Sequence, residues 1–250
     1  MHVLPVVTRG PTENVNDLLY LKGIDVAIIN GDSLDGYRSQ VPQIGHRIVQ
    51  RLNLFPSELH VFVRPEISSL AELAGKKVNF NTPGSAAAYS GPLIFSRLGI
   101  HVEKTSIPYP VALELAAIVF ISSKPVDAFA KGKWERGFKF LPVEFGPRLA
   151  DYYVPAQFDS SDYPALIASG EKISTIAVPT VRVSYNWKPG SPRYLRVAPF
   201  VETLLDRMER SRGQGFGPKW KEIDPSAKTP GLERFQPAQE WLDHKLAQRS

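Results

Sequence analysis

The strongest constraint on this chain is the rhythm of its apolar residues. Short β-branched or aromatic runs recur along it and are separated by stretches with helical spacing. Runs at 26–29, 59–64, 76–80, 102–107, 118–121, 138–143, 173–178 and 181–185 read as strands, and so does 3–7 at the start. Helical spacing covers 16–22, 35–52, 69–73, 86–98, 111–117, 192–212 and 237–248. Strands alternating with helices imply an α/β protein with a parallel or mixed sheet. The run at 26–29 is continuous and apolar and ends in Asn30-Gly31-Asp32, which reads as a buried parallel strand running into a loop. The strands are too many for one small sheet. The pattern changes character near Pro65 and again near Gly170, so two α/β lobes joined by two crossings are expected.

Length and composition allow this. A chain of 250 residues with 43% hydrophobic and 22% charged residues is ordinary globular material, long enough to need no disulfide or metal staple. It has no cysteine, which removes thiol catalysis, iron–sulfur clusters and zinc ribbons. The longest apolar stretch, 111–121, is about half the ~20 residues of a spanning helix and is broken by Glu114. The first residues lack the charged-then-apolar layout of a signal peptide. Residues 1–181 hold 17 of the 30 basic and 17 of the 25 acidic residues, so the net charge of +5 resides in 182–250. Acids interleave with bases there (Glu202, Asp206, Glu209 beside Arg207, Arg210, Arg212), the pattern of a solvated helical face. No aromatic-plus-basic pattern accompanies the charge, and no nucleic-acid partner is expected.

The recognisable enzyme motifs are missing. Ser85 stands in Pro83-Gly84-Ser85-Ala86-Ala87, which is not a nucleophile elbow. There is no phosphate loop, no dinucleotide fingerprint and no pair of histidines at zinc spacing. The five histidines, His2, His46, His60, His101 and His244, are scattered. No catalytic residue, metal site or cofactor is expected. Ligands of open α/β sheets bind beyond the carboxyl ends of strands, and three loops occupy such places. Thr82-Pro83-Gly84-Ser85 leads into a helix whose first amides and partial positive charge suit an anion, although the same residues also make a plain cap. Asn30-Gly31-Asp32-Ser33 follows a strand and reads equally as a turn. Ser122-Ser123-Lys124-Pro125 offers two hydroxyls and a cation, or simply an exposed lysine.

Several blocks together resemble the TAXI-type solute-binding proteins of tripartite TRAP transporters, relatives of the NMT1-like periplasmic receptors. Residues 14–28 (NVNDLLYLKGIDVAI) are similar to that family's first block, which leads to an acid like Asp32. Residues 73–85 (LAGKKVNFNTPGS) resemble its Leu-x-Gly-Lys-x-Val strand and Pro-Gly-Ser loop. Residues 118–126 look like its third ligand-side strand and loop, and 173–187 like the return into the first lobe. The resemblance implies a two-lobe, type II periplasmic-binding-protein fold that closes by a hinge on a solute in the interlobe cleft. Lobe I would be 1–65 with 175–250, and lobe II 66–174, with hinges near 64–66 and 170–174. The ligand would be a small carboxylate or amino acid, lined by Asn30 and Asp32 from the first lobe and by Thr82, Pro83, Gly84, Ser85, Ser122, Ser123 and Lys124 from the second. The partner would be a TRAP permease, and the location periplasmic. The identity of the solute is left open.

Three departures accompany the resemblance. The chain opens at what looks like the family's second strand, so an upstream strand and one ligand loop are expected to be missing. The helix before Ile118 is short for a crossover between parallel strands, which usually takes a dozen residues or more. Ala86-Ala87 replace a glycine and a hydroxyl residue common in relatives. An enzyme on the same two-lobe fold, or a truncated product that does not bind, is the alternative.

Overall fold

The larger sheet is organised by one strand, β3 (Ser57–Val63), buried along nearly its whole length. Its sequence alternates Leu59, Val61 and Val63 with Glu58, His60 and Phe62, so the strand has an aliphatic face and an aromatic-polar face. One edge of β3 pairs antiparallel with β6 (Ala117–Ser122), from Glu58 opposite Ser122 to Val63 opposite Ala117. Its other edge is shared. β9 (Lys172–Val178) takes Ser57 and Glu58, and β7 (Lys139–Phe140) takes Phe62 and Val63. Beyond β6 come β4 (Lys77–Asn79) and β5 (Glu103–Thr105), both parallel, and beyond β9 comes β8 (Val154–Asp159), antiparallel. The computed structural model describes residues 3–108, 112, 115–132, 134, 137–211 and 218–248.

The chain forms two units, residues 1–14 with 57–178 and residues 15–56 with 179–250. These lines differ from the lobe boundaries expected at 65/66 and 174/175. β3 and β9 lie whole in the first unit because they hydrogen-bond to each other and to the strands beside them.

In the first unit, helix α3 (Ala86–Arg97) covers the aliphatic face, with Ile94 and Phe95 packing near Leu59, Val61, Val78 and Phe80. Gly99 ends α3 in a left-handed conformation at φ +75°, and Ile100 N–H reaches back to Phe95 O. The other face carries an aromatic layer of Phe62, Phe129, Phe140, Phe158 and Tyr163. His60, with no exposed surface, lies inside that layer, stacked 4.4 Å from the Phe158 ring. Its Nδ1 faces Glu58 O at 3.0 Å, so Nδ1 carries the proton. Nε2 then accepts from the Tyr163 hydroxyl at 2.6 Å, and the Tyr163 oxygen accepts from Val126 N–H at 2.9 Å. The expected scattered, structural histidine is realised here as a fully satisfied one.

The second unit has a three-stranded antiparallel sheet, β1 (Ala27–Asn30), β10 (Thr180–Tyr185) and β2 (Ile48–Asn53), with β10 central. Helix α1 (Pro11–Tyr20) lays Val15 and Leu18 against Ile29, Ile48, Val181 and Val183. The opposite face carries Val49 and Leu52 beneath α5 (Pro192–Ser211) and α6 (Gln236–Ala247).

Several sequence expectations change. Residues 3–7 form no strand and join no sheet, and Leu4 and Val7 are 87% and 97% exposed. β1 is an antiparallel edge strand rather than a buried parallel one, with Ile28 half exposed. The long helix expected over 35–52 is a 3-10 turn at Asp35–Tyr37, a four-residue helix α2 (Ile44–Arg47) and strand β2. All six residues of β2 are buried, and pairing with β10 outweighs helical spacing there. β8 was not expected from sequence. Of the helix expected over 111–117, residues 111, 113 and 114 lie outside the described residues, and the described ones are not helical, with Ala117 opening β6. The remaining short helix of the first unit is α4 (Asp127–Ala130).

Tyr163 generates a test. Burial pushes its phenol above the ordinary value near 10. The unfolded chain therefore releases this proton at a lower pH than the folded one. Stability should be flat up to about pH 10 and decline above it. Tyr163→Phe should destabilise by about 1–3 kcal/mol, because it strands Nε2 of His60 and Val126 N–H, and should remove that part of the alkaline decline. Denaturant melts across pH check both.

Candidate functional site

The first unit brings two helix starts together. Pro11 occupies the first turn of α1, where its missing N–H costs nothing. Gly10 precedes it at φ +150°, and a Cβ placed there would sit 2.3 Å from the carbonyl oxygen of Gly84. Gly84, at φ +88°, lies so close to Arg9 that a Cβ would stand 3.0 Å from the arginine's own. Only glycine permits this approach of loop to loop. Ser85 follows as the N-cap of α3, its Oγ accepting from Ala88 N–H at 3.2 Å.

The two loops are internally held. Thr8 Oγ1 donates to Asn14 Oδ1 at 2.6 Å. Arg9 N–H donates to Glu13 Oε2 at 2.6 Å, and this bond, with the Arg9 side chain, holds the Glu13 carboxyl below its usual range. Asn81, in the left-handed region at φ +62°, accepts from Thr82 N–H with its own side chain at 2.8 Å. Ser85 N–H bonds to Thr82 O at 3.1 Å. Thr82 and Pro83 are exposed, and Gly84 and Ser85 half-buried. A helix start leaves first-turn N–H groups without intrahelical partners, and α3 has one of them capped by Ser85. Helix starts favour negative charge, and the α1 start already carries the Glu13 carboxylate in its first turn.

The other expected residues are placed differently. Ser122 ends β6 and Ser123 follows it; β6 is parallel to β4, so both loops leave the same end of the sheet. β6 runs on past its last pairing with β4 at Ile118, so Ser122 sits four residues farther along than the end of that ladder. Lys124 follows, and its ammonium donates to Asp162 Oδ2 at 2.7 Å and to Gln157 O at 2.8 Å. Its N–H donates to the buried carboxylate of Glu58 at 2.9 Å. The lysine thus ties the turn after β6 to the β8 hairpin, and its charge is matched by Asp162. Asn30 and Asp32 belong to the second unit, and their side chains are buried. The turn around them is fixed by Gly31 N–H to Pro179 O at 2.8 Å and Ser33 N–H to Asn30 O at 3.0 Å.

Sequence reasoning missed Gly10. The segment before it reads as a strand, and Arg9-Gly10-Pro11 as its end. The available signal was Gly-Pro itself, since proline at a first helical position starts a helix several residues before the apolar spacing begins. Among the described residues no group of three or more His, Cys, Asp or Glu could hold a metal ion, and no helix is long and apolar enough to cross a membrane.

No family model matches the chain. Its fold is similar to that of the periplasmic aliphatic sulphonate binding protein SsuA from Escherichia coli, at TM-score 0.47 and 15% identity, over 95% of this chain and 71% of that one. It is also similar to the alkanesulfonate-binding protein SsuA from Xanthomonas axonopodis pv. citri bound to MOPS, at TM-score 0.46 and 14% identity, over 98% and 82%. A third similar structure is an arginine transport-system periplasmic binding protein from Legionella pneumophila, at TM-score 0.40 and 12% identity, over 78% and 71%. These are likenesses of a mixed α/β fold built in two parts.

Two substitutions and one control test the local account. Gly10→Ala should lower stability by about 1–3 kcal/mol through its clash with the Gly84 carbonyl, whereas Gly146→Ala, whose added carbon meets nothing within 4 Å, should stay near neutral. Lys124→Met should destabilise by a similar ~1–3 kcal/mol, because Asp162 loses its counter-charge. Thermal melts decide both.

Proposed function

We propose that this chain is an extracytoplasmic solute-binding receptor that holds a small organic anion, a carboxylate or amino acid, at the joined starts of α1 and α3. The observation that carries this reading is the approach of Gly10 to Gly84, which sets two helix starts side by side. The carboxylate would sit on first-turn amides, with the exposed Thr82 hydroxyl and the Ser85 hydroxyl as neutral partners. Its charge would be balanced by the helix ends, since the ammonium of Lys124 is already matched by Asp162. Recognition through amides and hydroxyls suits reversible capture and release, and it supplies no general base or nucleophile. The sequence blocks at 14–28, 73–85 and 118–126 favour a TAXI-type TRAP system, in which the solute passes to a membrane permease and the receptor works in the periplasm.

The test is a thermal-shift panel of small carboxylates and amino acids on the full chain. A ligand at about 100 times its Kd should add roughly 2.7 kcal/mol of stability. Thr82→Val should weaken that ligand several-fold while leaving the ligand-free melt in place, and Ser85→Ala should weaken it further with a capping loss of about 0.5–2 kcal/mol. A panel with no shift, or variants that bind as the parent does, would overturn the reading.

A further inference from the structure

The second unit contains a charged side chain that its protein surroundings leave unmatched. Arg51, on β2, is 1% exposed, and none of its three guanidinium nitrogens has a hydrogen-bond partner among the described residues. It lies over the Phe235 ring, whose centroid is 4.5 Å from Cζ. A ring face softens a positive charge but accepts none of its in-plane hydrogen bonds at full strength. Buried ions in proteins are paired, because stranding one costs far more than ring stacking returns.

The surroundings of Arg51 are positive as well. Arg182, on β10, acts on it as a like charge. Arg182 pairs with Leu52, and the ladder slips between Arg182 and Val183, opposite Arg51. Arg182 lies on the same side of the sheet as Arg51, since its Cζ stands 4.5 Å from the Phe200 ring of α5 while Phe235 adjoins α6. Two residues along β10 on that side is Ser184, fully buried, whose Oγ also lacks a partner. Among the described residues the carboxylate that bears on Arg51 is Asp25, and it is held by Arg193 at 3.0 Å and Arg196 at 3.9 Å. Burial first, and then the like charge of Arg182, pull the Arg51 guanidinium down to about 9 against the opposing effect of Asp25, so it remains charged at neutral pH.

We propose that Arg51, Arg182 and Ser184 form an oxyanion site inside the second unit, beneath α5 and α6, whose occupant is a small oxyanion: sulfate, phosphate or a carboxylate. A planar guanidinium with Nε and both Nη free matches two oxygens of such a group in fork geometry, and a serine hydroxyl supplies a further donor. Arg182, only partly buried, gives the site its edge to solvent. The site lies wholly within the second unit, and the solute site proposed above lies in the first, so each can fail without the other.

The test is thermal melting of the full chain in chloride buffer, with sodium sulfate, phosphate or acetate exchanged in at constant ionic strength. One of the three should give a saturable rise, about 3–6 °C at ten times its Kd. The anion that saturates separates an inorganic occupant from a carboxylate. Arg51→Met should melt cooperatively and lose that rise. If Arg51→Met does not fold, Arg182→Gln and Ser184→Ala carry the test, and each should raise the apparent Kd at least fivefold. Gly146→Ala, which lies in neither proposed site and adds a carbon that meets nothing within 4 Å, should keep the rise intact. Either no rise, or a non-saturating one that persists equally in these variants as a general salting effect, overturns the proposal.

Discussion

The hydrogen-bond ladder along β3 is the constraint on which the larger unit depends. β3 is flanked on both edges, so its backbone donors and acceptors are met by three other strands, and its side chains define two cores at once. Leu59, Val61 and Val63 set the aliphatic layer under α3. His60 and Phe62 set the aromatic layer on the other side. Because side chains alternate, a slip of one residue would bury Val61 among the rings and aim His60 at α3. The bonds His60 makes to Glu58 O and Tyr163 fix that register chemically as well as sterically.

The same ladder positions both candidate loops of the first unit. β4 runs parallel to β6, so the turn before α3 and the turn after β6 leave one end of the sheet. The turn after β6 is fastened by Lys124, which meets Glu58 through its amide and Asp162 through its ammonium. The turn before α3 is fastened by Ser85 and by the Gly10 loop pressed against it. Holding such loops on rigid elements is what allows a small anion to be recognised by amides alone, without a dedicated cation.

How much of this was legible follows from the kind of signal each part carries. β3, β9 and β10 are readable because β-branched and other apolar residues recur in them at close or alternate positions. β8 is not, because Val-Pro-Ala-Gln-Phe-Asp mixes a proline and polar residues; as the terminal strand of its sheet it tolerates Pro155, which has no amide to donate. β2 reads as helix because Ile44, Ile48, Val49 and Leu52 fall at helical spacing, and only the distant β10 turns it into a strand. The cap role of Ser85 was legible from the Pro-Gly-Ser turn alone. The partner of Lys124 was not, since Asp162 lies 38 residues away. Arg51 likewise reads as an ordinary surface charge until the helices that cover it, well over a hundred residues later, are in place.

The order of strands also has a kinetic meaning. β3 is complete by Val63, yet its partner β9 ends at Val178, and β1 at Ala27–Asn30 waits for β10 at Thr180–Tyr185. The larger sheet cannot close until the ribosome has passed residue 178, nor the smaller one until it has passed residue 185. For most of synthesis, β3 has apolar faces and an open edge exposed to whatever surrounds it. Such long-range pairings fold slowly and present aggregation-prone edges in the meantime. A nascent chain of this topology is a natural client for holding chaperones, and truncations anywhere before residue 178 should yield aggregates in place of half-sized folded fragments.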